Sequence, residues 1–179
     1  MKFRYCYHCG QLTEALRADG YLRAYCRRCD RVLYENPLPS VAMVVTNPIG
    51  QILLVRRRIE PALGDWALPG GFIEMDEKPH QAALRELWEE TGVRGVVTRL
   101  LAVDSHIRGY YGDVLIIAYA VQTKQVSAAP GDDVSEAQFF KPTERPRLAF
   151  PIHEQFLKLA LQGSAQIVPE EQTTDGEQP

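Results

Sequence analysis

The sequence predicts an α/β domain preceded by a small metal-ligating module, and three observations carry that prediction. From Ser40 onward, short β-branched and apolar runs alternate with two segments of helical spacing. All four cysteines fall within residues 1–35, as two Cys-x-x-Cys pairs. Between these regions lies Glu35-Asn36-Pro37-Leu38-Pro39, read as a linker because two prolines resist continuation of a strand or helix. The expected organisation is a cysteine module over 1–35, a main domain over 36–162 and a disordered acidic tail over 163–179.

In the main domain, Val41 to Thr46 reads as a buried strand. Asn47-Pro48-Ile49-Gly50 is a turn leading to a second strand, Gln51 to Val55, and the two form a predicted hairpin. Pro69-Gly70-Gly71 breaks the pattern where backbone can approach a ligand closely. Pro79 to Thr91 is a predicted helix, with proline in its first turn and Gly92 at its stop. Val96 to Asp104, Val114 to Val121 and Ala137 to Phe140 are predicted strands, and Ile152 to Leu161 a final helix. With 45% hydrophobic and 24% charged residues, 179 residues can build a core without disulfides. The net charge of −3 gives no general attraction to nucleic acid or membrane. The N-terminus shows no signal-peptide pattern and no apolar run reaches spanning length, so a cytoplasmic protein is expected.

Cys6-x-x-Cys9 and Cys26-x-x-Cys29 stand sixteen residues apart. Two such knuckles suit tetrahedral Zn²⁺ held by four thiolates, and in a reducing compartment paired cysteines point to metal before disulfide. The alternative is two chance pairs of buried cysteines. His8, inside the first knuckle, could replace a thiolate, although four cysteines already fill the site. A closed four-ligand site is structural, and in so small a module it supplies much of the folding free energy. Lys2, Arg4, Arg17, Arg23, Arg27, Arg28 and Arg31 face only Glu14, Asp19 and Asp30, so the module is basic. Four thiolates around zinc reduce that excess, which favours a scaffolding or dimer-contact role over nucleic-acid binding.

Glu86, Glu89 and Glu90 stand at i, i+3 and i+4, so three carboxylates share one helical face. Such stacking of like charge costs roughly 0.2–0.5 kcal/mol per pair in an isolated helix. A hard cation such as Mg²⁺ or Mn²⁺ would offset that cost through oxygen ligands. Arg85 lies i,i+4 from Glu89 and can fix a carboxylate with a bidentate contact, while Ala83 and Leu87 point into a core. A solvated acidic face is the alternative, and the preceding Gly-Gly turn and Glu77 weigh against it.

The stretch from Gly71 through Glu77, Arg85-Glu86-Leu87, Glu89-Glu90 and Gly92-Val93 resembles the Nudix box at every fixed position. The resemblance implies an α/β/α sandwich with a mixed sheet and hydrolysis of a nucleoside diphosphate linked to another group. It implies Mg²⁺ or Mn²⁺ on Glu86, Glu89 and Glu90, with the Gly70 carbonyl as a further ligand and Glu77 supporting the loop or sharing base duty. Together with the cysteine module, the layout resembles the zinc-ribbon branch that includes NADH pyrophosphatases. That branch acts on dinucleotides such as NADH, ADP-ribose and FAD and forms homodimers. The segment Val103 to Tyr111 lacks the Ser-Gln-Pro-Trp-type motif of the NADH enzymes, and the proline of many ADP-ribose hydrolases is missing too.

Tyr110 and Tyr111 fall near the place where diadenosine polyphosphate hydrolases carry a tyrosine. By similarity to the acidic segment before a late Nudix strand, Asp133 is the candidate extra metal ligand, with Glu136 as the alternative. Arg56 and Arg58, on one strand face opposite Arg57, are candidate phosphate contacts. Tyr110, Phe3 or Tyr34 could stack on a base. His80, His106 and His153 have no partner legible in the sequence. The expected activity is therefore a pyrophosphohydrolase acting on ADP-ribose, FAD or NADH-like molecules. Two alternatives stand beside it: a nucleoside triphosphate or diadenosine polyphosphate hydrolase, and a Nudix-derived nucleic-acid-binding regulator.

Overall fold

A computed structural model of the chain describes residues 3–131 and 133–163. The predicted acidic tail lies outside the described residues from 164 onward. The chain divides into two compact units after Pro37.

The first unit is a three-stranded antiparallel sheet of β1 (Glu14–Ala18), β2 (Tyr21–Cys26) and β3 (Arg31–Leu33), in the order β1-β2-β3. Its core is small. Ala24, Leu33, Cys6 and Cys26 are its buried residues, with Phe3, Cys9 and Cys29 packed against them. Half the apolar material of this core is therefore cysteine, so covalent or metal linkage has to do what aliphatic burial does elsewhere.

The second unit has a mixed sheet in the order β6-β5-β4-β8-β7, with β9 also pairing with β5. Its strands are β4 (Leu38–Thr46), β5 (Ile52–Arg57), β6 (Trp66–Ala67), β7 (Val96–Gly109), β8 (Gly112–Gln122) and β9 (Val134–Phe140). β4 runs parallel to β8 from Leu38↔Val114 to Thr46↔Gln122, and the other pairings are antiparallel. Alternation along β4 and β5 splits the core in two. Val41, Met43, Val45 and Leu53 face α1 (Pro79–Thr91), where Ala82, Ala83 and Leu87 complete the cluster. Ala42, Val44, Ile52 and Leu54 face α2 (Pro151–Leu161), which contributes Phe156 and Leu157. Helices thus cover both faces, giving the expected α/β/α sandwich.

Leu38 and Pro39 are strand, which corrects the linker reading of residues 35–39. Pro39 is the second residue of β4, next to the strand's start where proline is tolerated, and its carbonyl accepts the Ile73 N–H at 3.1 Å. The helix α1 keeps its expected limits. Pro79 opens it, the Gln81 side chain accepts the Lys78 N–H at 2.9 Å, and Gly92 closes it at φ 64° with its N–H on the Trp88 carbonyl.

A carboxylate-lined cavity and a thiol tetrad

The loop before α1 is held against the parallel strand by its own backbone. Val41 N–H donates to the Gly71 carbonyl and Met43 N–H to the Pro69 carbonyl, both at 2.9 Å. A Cβ on Gly70 would lie 2.2 Å from the Val41 carbonyl oxygen, and one on Gly71 would lie 2.3 Å from the Glu86 carboxylate carbon. Two glycines are therefore required where loop, strand and helix face meet.

Arg85 organises the carboxylates. Its Nε and Nη2 grip Glu77 at 3.1 and 2.7 Å, a bidentate pair. Nη1 reaches Glu86 at 2.9 Å and Glu89 at 3.0 Å, and Nη2 also donates to the Phe72 carbonyl at 3.0 Å. The sequence reading gave Arg85 to Glu89, whereas the two-pronged partner is Glu77, eight residues earlier. Glu77 in turn accepts the Glu74 N–H at 2.7 Å, so it fixes the loop to the helix. The Arg85 contact, followed by that N–H, holds the Glu77 carboxyl below its ordinary range.

The helical face divides by depth. Glu89 is 52% exposed in its side chain, Glu86 17%, and Glu90 is buried. Glu90 accepts the Gly70 N–H at 3.0 Å. Burial pushes its carboxyl up to about 8; the nearby charges of Glu86 and Asp133 add to the rise, and Gly70 N–H and Arg57 oppose it. Burial also raises Glu86, against the pull of Arg85. Two half- or fully desolvated carboxylates with one guanidinium between three of them form an under-neutralised oxygen cluster, which is the environment a hard divalent cation fits.

These groups line a cavity of about 560 Å³. Glu86, Glu89, Glu90 and Asp133 occupy one side, with Gly70 and Gly71 beside them. Tyr110 and Tyr111 stand on the wall, with Phe72 packed edge-on against Tyr111 at 5.3 Å. Tyr111 donates its hydroxyl to the Glu60 carbonyl at 3.1 Å, while Tyr110 is 69% exposed.

Two candidate phosphate contacts lie elsewhere. Arg56 pairs with Glu136 at 2.7 Å and donates to the Gly64 carbonyl, and neither Arg56 nor Arg58 lines the cavity. The lining arginine is Arg57. It follows Val55 on its own side of the strand, at a register shift between Arg56 and Arg57. The same Arg56 pair removes Glu136 from consideration as a cavity carboxylate. Phe3 and Tyr34 belong to the first unit, where Phe3 packs on the cysteine core and Tyr34 lies under the Arg23 guanidinium.

Sequence reasoning also missed His153. Its Nδ1 accepts the Leu68 N–H at 3.2 Å, from 85 residues earlier, and its ring packs edge-on to Phe150. His106 lines the same cavity, while His8 is within 3.0 Å of Arg31 in the first unit and is not a ligand candidate.

In the first unit the four sulfurs lie within 4.8 Å of one another. Cys6 to Cys29 is 4.0 Å and Cys9 to Cys26 is 3.5 Å. Tetrahedral zinc with bonds of about 2.3 Å needs sulfurs roughly 3.8 Å apart, so the tetrad fits. At Cys6, burial acts upward, but the N–H groups of His8 and Cys9 outweigh it and bring the thiol down to about 7. At Cys29 the neighbouring Cys9 and burial push it up to about 12. Four thiols this close cannot all ionise without a cation among them. Among the described residues, this is the one acidic, histidine or cysteine group whose ligand atoms already converge, whereas the cavity carboxylates are spread along a wall.

Comparison with known proteins agrees with this geometry. Residues 36–160 match the NUDIX domain. An ADP-ribose pyrophosphatase of Methanocaldococcus jannaschii is 38% identical over 127 residues, covering 70% of this chain and 74% of that protein. An RNA pyrophosphohydrolase of Azorhizobium caulinodans is 43% identical over 63 residues, 33% of this chain and 38% of its own length. A NUDIX hydrolase of Nitrosomonas europaea superposes with a TM-score of 0.77 at 28% identity, covering 87% of this chain and 89% of that one. The NUDIX domain of Shewanella oneidensis NrtR, solved with ADP-ribose, gives 0.64 at 26% identity over 77% of this chain and 92% of that one. With the domain match spanning most of its length and the box helix in place, the chain belongs to the Nudix family and is a pyrophosphohydrolase.

Proposed function

We propose that this enzyme hydrolyses the pyrophosphate bond of nucleoside diphosphates linked to a second group, with ADP-ribose as its leading substrate. The observation that carries the reading is the two-sided cavity. Its carboxylate side, Glu86, Glu89, Glu90 and Asp133, repels a bare pyrophosphate, and the rest of its lining is largely aromatic and apolar, with Arg57 its one guanidinium. Only cations on the carboxylate side make such a cavity hospitable to a nucleotide. Glu86, Glu89 and Glu90, with the Gly70 carbonyl and Asp133, would hold Mg²⁺ or Mn²⁺. When bound, these ions neutralise phosphate oxygens and lower the pKa of an attacking water.

The chain's own groups prepare that chemistry. Arg85 fixes the Glu86 and Glu89 carboxylates and locks Glu77 to the loop, so donors need little reorganisation. Glu90 is the most buried of the three and accepts the Gly70 N–H, so its carboxylate is held in place beside the loop. Tyr110, on the cavity wall, would cover a base or sugar ring. In the first unit the four thiolates would hold one structural Zn²⁺, leaving no open position for substrate.

The relative that matches over most of both chains is named an ADP-ribose pyrophosphatase, which favours that substrate. The relatives named RNA pyrophosphohydrolases are matched over a third of this chain, and they make a 5′-triphosphorylated RNA a necessary comparison. The test is a panel: full-length protein with Mg²⁺ or Mn²⁺ against ADP-ribose, NADH, FAD, diadenosine polyphosphates, nucleoside triphosphates and triphosphorylated RNA, with products identified. AMP and ribose 5-phosphate from ADP-ribose at the highest kcat/KM support the reading. A preference of tenfold or more for triphosphates or RNA overturns it.

A further inference from the structure

The cavity holds donors as well as carboxylates, and they are not distributed evenly. Arg57 lines it with its Nε tied to the Pro61 carbonyl at 2.6 Å and its guanidinium over the Phe150 ring at 5.5 Å. Among the described residues Arg57 makes no ion pair, although five carboxylates share its cavity. His153 stands on the same wall, beside Phe150. Because a backbone N–H can only donate, the Leu68 N–H fixes His153 Nδ1 as an acceptor and places the ring proton on Nε2. That Nε2–H finds no protein acceptor among the described residues. Burial first, and the charge of Arg57 next, hold this imidazole neutral, down to about 3. The Arg57 charge acts on both Glu90 and His153, so the guanidinium lies within electrostatic reach of the carboxylates and of the imidazole.

We propose that Arg57 and His153 are the specificity-determining donors of this cavity, Arg57 holding an oxygen of the pyrophosphate and His153 Nε2–H a hydroxyl of the sugar attached to it. The inference rests on the pyrophosphohydrolase reading above and names what lies beyond the bond broken. A neutral, fixed-tautomer donor in an aromatic surround suits an uncharged hydroxylated ring. It suits a terminal phosphate poorly, since that group would lose hydration without gaining a second charge. The pair therefore selects a sugar-linked diphosphate over a nucleoside triphosphate.

The test uses His153→Asn, in which the shorter side-chain oxygen can still accept the Leu68 N–H while the distal donor is gone. The expected result is a rise of about tenfold in KM for ADP-ribose with kcat within about threefold, the loss of one neutral hydrogen bond made equally in ground and transition states. The ratio of kcat/KM for ADP-ribose to that for ATP falls by the same factor. Arg57→Gln raises KM for both substrates. A tautomer measurement by ¹⁵N NMR accompanies the kinetics. The wild-type His153 Nε2–H signal is expected in the neutral form at pH 6, and it should shift on addition of ADP-ribose. An Nδ1–H tautomer, an unshifted signal, or equal losses on ADP-ribose and ATP each overturn the proposal. Wild-type inactivity on ADP-ribose would instead strike the functional reading, and the NMR arm would still decide the role of His153.

Discussion

The two clusters of anionic side chains are built on opposite plans. In the first unit, four sulfurs converge to within 4.8 Å and half the core is cysteine. In the second, three glutamates are spread along a cavity wall above a core of Val41, Met43, Val45, Ala83 and Leu87 that is complete without them. One cluster stands in for a hydrophobic core. The other is mounted on a core and held open by Arg85. A metal in the first should therefore be part of folding, and a metal in the second should be part of chemistry alone.

The largest expected effect tests the first half of that contrast. Cys26→Ser, or a strong chelator, should remove a contribution on the order of 10 kcal/mol from the small unit. Amide signals of β1 to β3 should collapse, while those around Leu87 keep their native positions. Next comes Glu86→Gln, and separately Glu90→Gln. Each should lower kcat by about 100- to 1,000-fold, roughly 3–4 kcal/mol of transition-state stabilisation. Neither should lower the melting temperature, because each removes a charge whose burial is unfavourable. Arg85→Lys sharpens the comparison further. An ammonium cannot span the fork to Glu77 and the reach to Glu86 and Glu89, so stability should fall by about 2 kcal/mol and kcat by about tenfold or more.

The smallest effect is a pH dependence. His153 has its folded pKa depressed to about 3 from an ordinary 6.5. Below 6.5 the unfolded chain takes up a proton that the folded chain refuses, so stability falls as pH drops from 6.5 toward 3. Glu90, whose carboxyl burial pushes up, acts in the opposite direction over the same range. The His153 share between pH 7.5 and 5.5, about 1 kcal/mol, is therefore read as the difference between wild type and His153→Asn in how the melting temperature changes with pH. The same change in both would assign the pH dependence to other groups.

Much of the second unit was legible because its signals are local. Proline at the first turn and glycine after the last set the limits of α1, and the i, i+3, i+4 spacing put three carboxylates on one face. The Cys-x-x-Cys spacing carried the tetrad in the same way. What the sequence hid depends on distance. Alternation in β5 separates Arg57 from Arg56 and Arg58, but which face meets the cavity is set by long-range pairing, and Glu136, eighty residues on, takes Arg56 as its partner. Glu77 looked like a loop residue until the fold brought it to the Arg85 fork. Pro39 looked like a break because a proline near a strand's start reads in sequence like a linker, while the group that its carbonyl accepts, the Ile73 N–H, lies far along the chain. His153 had no visible partner, since the group that orients it is a backbone N–H 85 residues earlier, at Leu68 just after β6.

The central claim is that the carboxylate helix is catalytic and the thiol tetrad structural. It is tested most directly by treating full-length protein with a mild chelator, counting zinc per chain, and following ADP-ribose hydrolysis with product identification. The predicted result is one zinc per chain retained in wild type and in Glu86→Gln. Turnover to AMP and ribose 5-phosphate should appear only when Mg²⁺ or Mn²⁺ is restored to wild type. Turnover without added divalent metal, or near-wild-type turnover in Glu86→Gln, would contradict the account.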